Sequence, residues 1–124
     1  MYGSEGLKSD DVILGAIGAA EGLVVTAVSG GSTGFIQAHN STYNENPGPF
    51  AAQAYDAFQA LNNAILTGLK KGEKITGEEI KNNLDILEFR GVSGDIDFDE
   101  KGDVLGSYTV FEVKNGVFVE LDVK

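Results

Sequence analysis

A chain of 124 residues with 42% hydrophobic and 23% charged side chains holds one domain's worth of material and has an ordinary globular make-up. Its formal charge of −10 excludes nucleic acid and anionic membrane surfaces as natural partners, because both repel it. It has no cysteine, hence no disulfide framework or thiol chemistry, and no apolar run approaches the roughly 18 residues that span a bilayer.

The opening stretch, MYGSEGLKSDD, lacks a basic start and an apolar middle, so it does not read as a signal peptide. Ser9 and Asp10 suit a helix start, and the spacing predicts a short helix over 10–19 that Gly15 and Gly18 weaken. The β-branched run at 23–28 predicts a buried strand, and Ser29-Gly30-Gly31-Ser32 a loop. A second helix is expected over 33–44. Asn46-Pro47-Gly48-Pro49 then makes the strongest break in the chain.

Residues 50–70 predict a long helix. Ala54, Phe58, Leu61, Ile65 and Leu69 recur in steps of three and four and so share a face. Lys70, Lys71 and Gly72 suit its C-terminus. Thr76 with Glu79 forms a capping-box pattern, predicting a helix over 77–87. The short connection pairs these two helices, with Leu61, Ile65, Ile80 and Leu84 expected between them. Strands are expected at 95–98, 107–114 and 117–122, the last two joined at Asn115-Gly116 as a hairpin. The sum is an α/β chain with three to four helices, short strands and a C-terminal β-hairpin.

Few residues suggest bond chemistry. Asp95, Asp97 and Asp99 resemble the start of a calcium loop, but Glu100 and Gly106 stand where such a loop needs Gly and Glu. Alternation with Ile96 and Phe98 suits a half-buried strand with its acids in water. The run Ser29 to Gly34 lacks the Lys-Ser/Thr that ends a phosphate loop. His39 is the single histidine and has only ordinary polar neighbours in sequence, so a surface position is expected. Tyr55 and Phe58 are expected in the core, and Tyr43 at a rim where it, like Phe50, could stack on a ligand.

The stretch from Phe89 to Val119 resembles the C-terminal end of type I periplasmic binding proteins, the branched-chain amino-acid receptors of ABC importers. Phe89, Gly91, Val92, Gly94, Ile96, Phe98, Asp99, Gly102 and Asp103 match one motif of that family. Tyr108, Val110, Val113, Lys114, Gly116, Phe118 and Val119 match the next. Glu21-Gly22 with Thr26 is similar to the family's "E-G-x-x-x-T" strand, and Pro49 to Leu61 to its long helix.

The resemblance implies a non-enzymatic solute-binding component for an amino acid or similar small polar solute. It implies a membrane permease as partner, a periplasmic or extracellular location and no cofactor. In amino-acid-binding members an acidic residue pairs with the ligand's ammonium group, and Glu5 falls on that position. The same fold also serves as the ligand-sensing domain of receptors and regulatory proteins, which is the alternative.

Family members are much longer, so the chain reads as the last third of one. The resemblance assigns residues 1–28 and 104–124 to one lobe and 33–102 to the other, with crossovers near 27–31 and 102–107 and ligand held between lobes. That mapping leaves out the parallel strands on which these elements normally pack. It therefore implies a homodimer, formed by exchange across residues 29–34, and weak ligand affinity.

Overall fold

The computed structural model describes residues 1–72, 74–106 and 108–121. The chain runs β1 (Tyr2–Gly3), a 3-10 turn (Glu5–Leu7), α1 (Asp10–Gly15), β2 (Val24–Val28), α2 (Thr33–Tyr43), α3 (Ala51–Lys71) and α4 (Gly77–Leu84). It continues with β3 (Glu88–Arg90), β4 (Asp95–Asp97), β5 (Tyr108–Lys114) and β6 (Val117–Leu121). Two compact units result: Met1–Ser29 with Tyr108–Lys124, and Gly30–Ser107. Residues 107 and 122, at the ends of two predicted strands, lie outside the described residues.

The first unit is a four-stranded sheet in the order β1-β2-β5-β6. β1 runs parallel to β2, so a parallel pair is present where the resemblance implied none. The other pairings are antiparallel, with Val25 opposite Phe111 and Val113 opposite Phe118. The hairpin turns at Asn115 (φ 53°) and Gly116 (φ 74°). Positive φ at both central residues gives the twist that matches the flanking strands.

α1 covers one face of this sheet. Ala20, Leu23, Val25 and Val113 form the buried core, with Val12, Ile13, Ala16, Phe111 and Phe118 packed against it. Val25 and Val113 are fully buried, and each such valine contributes about 1.5–3 kcal/mol. The Ser9 hydroxyl caps α1 by accepting from Val12 N at 3.3 Å. The helix ends at Gly15, short of the expected residue 19, because Ile17 (φ 46°) and Gly18 (φ 84°) turn the backbone left-handed.

The second unit starts at the α2 cap, where Ser32 Oγ accepts from Phe35 N. Asn44 closes α2 in the left-handed region. α3 matches its predicted span within a residue, and Gly72 ends it as expected. Its orientation does not match. The buried residues are Ala52, Asp56, Ala60, Ala64 and Gly68, a ladder of four-residue steps. Phe58 is 66% exposed, Leu61 48% and Leu69 56%, with Ala54 also exposed and Ile65 half-buried.

A small-residue face lets neighbouring backbone approach closely: a Cβ on Gly31 would lie 2.9 Å from Ala52 Cβ, and one on Gly91 would meet the Asp56 carboxylate. α3 and α4 do pack as a pair. Ile80 and Leu84 are half-buried there, and Lys71 Nζ donates to the buried Asn83 Oδ1 at 2.9 Å. Leu61, expected to be buried between these helices, is instead exposed.

α4 carries the predicted capping box: Thr76 Oγ1 accepts from Glu79 N, and Glu79 Oε2 accepts from Thr76 N. It stops at Leu84 rather than 87, since the chain turns at Asp85 into β3, a strand the sequence did not announce. β3 pairs with β4, Phe89 opposite Ile96. Ile96 is buried while Asp95 and Asp97 face solvent, the alternation expected there.

Candidate functional site

Glu5 lies two residues beyond the carboxyl end of β1, at the head of the 3-10 turn. The turn closes with Leu7 N donating to Ser4 O and Lys8 N to Glu5 O. It folds back onto the sheet because Gly3 has no side chain. A Cβ there would lie 2.5 Å from Leu7 Cδ1 and 3.5 Å from Val25 Cγ1. Leu7 therefore lies over Gly3 and holds the turn against β2. Lys8 follows with its ammonium 4.2 Å from the Phe111 ring centre, a cation–π contact that draws its charge onto the sheet.

The Glu5 side chain is exposed, and among the described residues none pairs with its carboxylate. The rim beyond the carboxyl ends of parallel strands is where α/β sheets place ligand-binding groups. A carboxylate held there can receive an ammonium group as a charge-assisted hydrogen-bond acceptor.

The second unit holds an aromatic groove of about 570 Å³ between α2 and α3. Phe35, His39, Tyr43 and Tyr55 line it. The Phe35 and Tyr55 ring centres lie 5.6 Å apart, those of His39 and Tyr43 4.7 Å. His39 Nδ1 is 3.0 Å from Glu45 O in an exposed contact, and the half-buried imidazole lies beside the Phe35 and Tyr43 rings at the protein surface. Tyr55 and Phe58, expected in the core, are exposed, as is Tyr43.

The acidic stretch is a structured turn. Asp99 Oδ1 accepts from Lys101 N and Asp103 N, and Phe98 bridges to Val104. Arg90 donates to Asp95 at 2.6 Å; that hydrogen bond, then the charge of Asp95, raises the guanidinium pKa above its ordinary value. No group of three or more acidic or histidine side chains among the described residues could hold a metal ion.

Sequence reasoning missed Asp56. It is 2% exposed and accepts from Val92 N, Ser93 N and Ser93 Oγ at 2.8, 2.7 and 2.5 Å. The available signal was an acid sitting four residues from Ala52 and from Ala60 on one helix face.

The first unit thus combines a mixed sheet covered by α1 with an exposed carboxylate beyond the carboxyl end of its parallel strand. Residues 5–116 match the family described as the receptor family ligand binding region. The chain belongs to that family, which has the type I periplasmic binding fold. Among curated proteins none matches.

Solved structures agree. The leucine binding protein LivK of Thermotoga maritima is 26% identical, with a TM-score of 0.76 over 98% of this chain and 36% of its own. The branched-chain amino acid transporter substrate binding protein LivJ of Streptococcus pneumoniae, solved with isoleucine, is 28% identical. Its TM-score is 0.73, covering 97% of this chain and 37% of its own. A solute binding protein of R. palustris, solved with benzoate, shares the fold at 22% identity, with a TM-score of 0.69 over 97% of this chain and 34% of its own. This chain thus spans little more than a third of the length of these relatives. The relatives are binding proteins, not enzymes. Among the described residues, no helix is long and apolar enough to cross a membrane.

Proposed function

We propose that the chain is a C-terminal segment of the solute-binding component of an ABC importer, for an amino acid or a similar small polar solute. The observation that carries this reading is Glu5: an exposed carboxylate on a braced turn beyond a parallel strand, inside a chain similar to leucine- and isoleucine-binding proteins. Its role is to pair with the solute's ammonium group. The natural location is periplasmic or extracellular, and the macromolecular partner is a membrane permease. The exposed apolar face of α3 supports self-association of this segment as a homodimer.

Glu5 supplies one contact and cannot enclose a solute. The segment alone should therefore bind leucine only at about millimolar Kd, worth roughly 4 kcal/mol. Calorimetry with leucine and with 4-methylpentanoate, which lacks the amino group, tests the reading. Weak heat with leucine and none with the des-amino acid supports it. Equal binding of the two would remove Glu5 from the account.

The alternative is the ligand-sensing domain of a receptor. The description of the matched family, which names receptors, favours keeping it. Co-purification of the full-length protein with a permease separates importer from sensor.

A further inference from the structure

The chain passes from the first unit into the second at Ser29 and Gly30. Two residues later, Ser32 N donates to Val92 O at 2.8 Å. That carbonyl belongs to the peptide group joining Val92 and Ser93. The N–H of the same peptide group is Ser93 N, which donates to Asp56 Oδ2 at 2.7 Å. One peptide group therefore links the connector on one side to a buried carboxylate on the other.

The surroundings hold this chain of bonds in one geometry. Val92 N donates to the second oxygen of Asp56, and Ser93 Oγ adds a third bond. Gly91 lies against the Asp56 carboxylate with no room for a Cβ. Gly31, at φ 99°, lies so close to α3 that a Cβ would be 2.9 Å from both Ala52 Cβ and Phe35 Cδ1. Ser32 is also the cap of α2, so it is tied to the helix it starts.

We propose that Asp56 is the positioning residue for the connector: its negative charge, relayed through the 92–93 peptide, fixes the chain at Ser32. A carboxylate accepting from an N–H polarises that peptide, and the far carbonyl becomes a stronger acceptor. The Ser32 bond is thus strengthened by a charge it does not touch. Asn keeps the shape but replaces one accepting oxygen with an NH2 donor, so it removes the charge and leaves one of the Val92 and Ser93 N–H groups without an acceptor.

Amide hydrogen exchange in the whole chain tests this with Asp56→Asn. The expected result is roughly five- to tenfold faster exchange at Ser32 together with Ser93, while Ala60 and Ala64 in α3 are unchanged. Where the variant also loosens α3, Ser93→Ala is read instead, since it removes only the hydroxyl donor and leaves the backbone relay. It should leave Ser32 exchange within about twofold of the parent. Faster exchange at Ser93 with Ser32 unmoved in Asp56→Asn would overturn the proposal, as would Ser32 loosening by tenfold in Ser93→Ala.

Discussion

Glu21 and Asn115 are 94 residues apart, yet the Glu21 carboxylate accepts from Asn115 N at 2.9 Å and, with its other oxygen, from Gly116 N at 3.3 Å. The two N–H groups of the β5–β6 turn are thus capped by the residue that leads into β2. Gly22 N donates to Val113 O beside it, so the two ends of the first unit are tied at one corner. Glu21→Ala should cost about 1 kcal/mol, below the roughly 1.5–3 kcal/mol of a charged acceptor because the contact is exposed. Chemical denaturation checks this, and Glu21→Gln should recover part of the loss.

At the same turn, Gly116 adopts φ 74°. Gly116→Val should destabilise by roughly 1–3 kcal/mol through backbone strain. Asn115→Gly should be nearly neutral, since the position needs positive φ and glycine supplies it without penalty. A thermal melt of both variants separates the turn geometry from side-chain loss.

Ile17 offers a gain. It is 91% exposed and sits at φ 46°, where a β-branched side chain is strained. Replacing it removes strain without removing packing. Ile17→Asn should stabilise by about 1 kcal/mol and raise the melting temperature.

Buried Asp56 gives the largest expected loss. Asp56→Ala leaves Val92 N and Ser93 N without their acceptor and should cost roughly 2–4 kcal/mol. Gly91→Ala should also destabilise, by about 1–3 kcal/mol, because its Cβ meets that carboxylate. Urea titration of each variant measures both.

Local chemistry was legible in the sequence. Asn115-Gly116, the Thr76–Glu79 capping box and Gly72 each act through their own backbone, so type and position alone announce them. The orientation of α3 was not. A stripe of Ala52, Ala60, Ala64 and Gly68 carries little hydrophobicity, so periodicity pointed to Phe58 and Leu61 instead. β1 and β3 span two and three residues, too few for alternation to register. Asp56 looked like a solvated acid because its donors are backbone groups 36 and 37 residues away. Glu5 was visible only through the family resemblance, since nothing in its own neighbourhood sets it apart from other exposed acids.

The exposed stripe of α3 carries a separate expectation. Phe58→Ser with Leu69→Ser should change the stability of the second unit by less than about 1 kcal/mol, because both side chains are exposed. The same pair should reduce dimer formation in sedimentation equilibrium. An unchanged dimer would remove this face from the self-association reading.

The central claim is that Glu5 receives a solute's ammonium group. Leucine titration followed through backbone amide resonances, in the parent chain and in Glu5→Gln, tests it most directly. The prediction is a saturable shift centred on Glu5, Gly6 and Leu7 in the parent, and its loss in the variant with the other resonances unmoved. Shifts of equal size in both proteins, or shifts confined to the groove between α2 and α3, would contradict it.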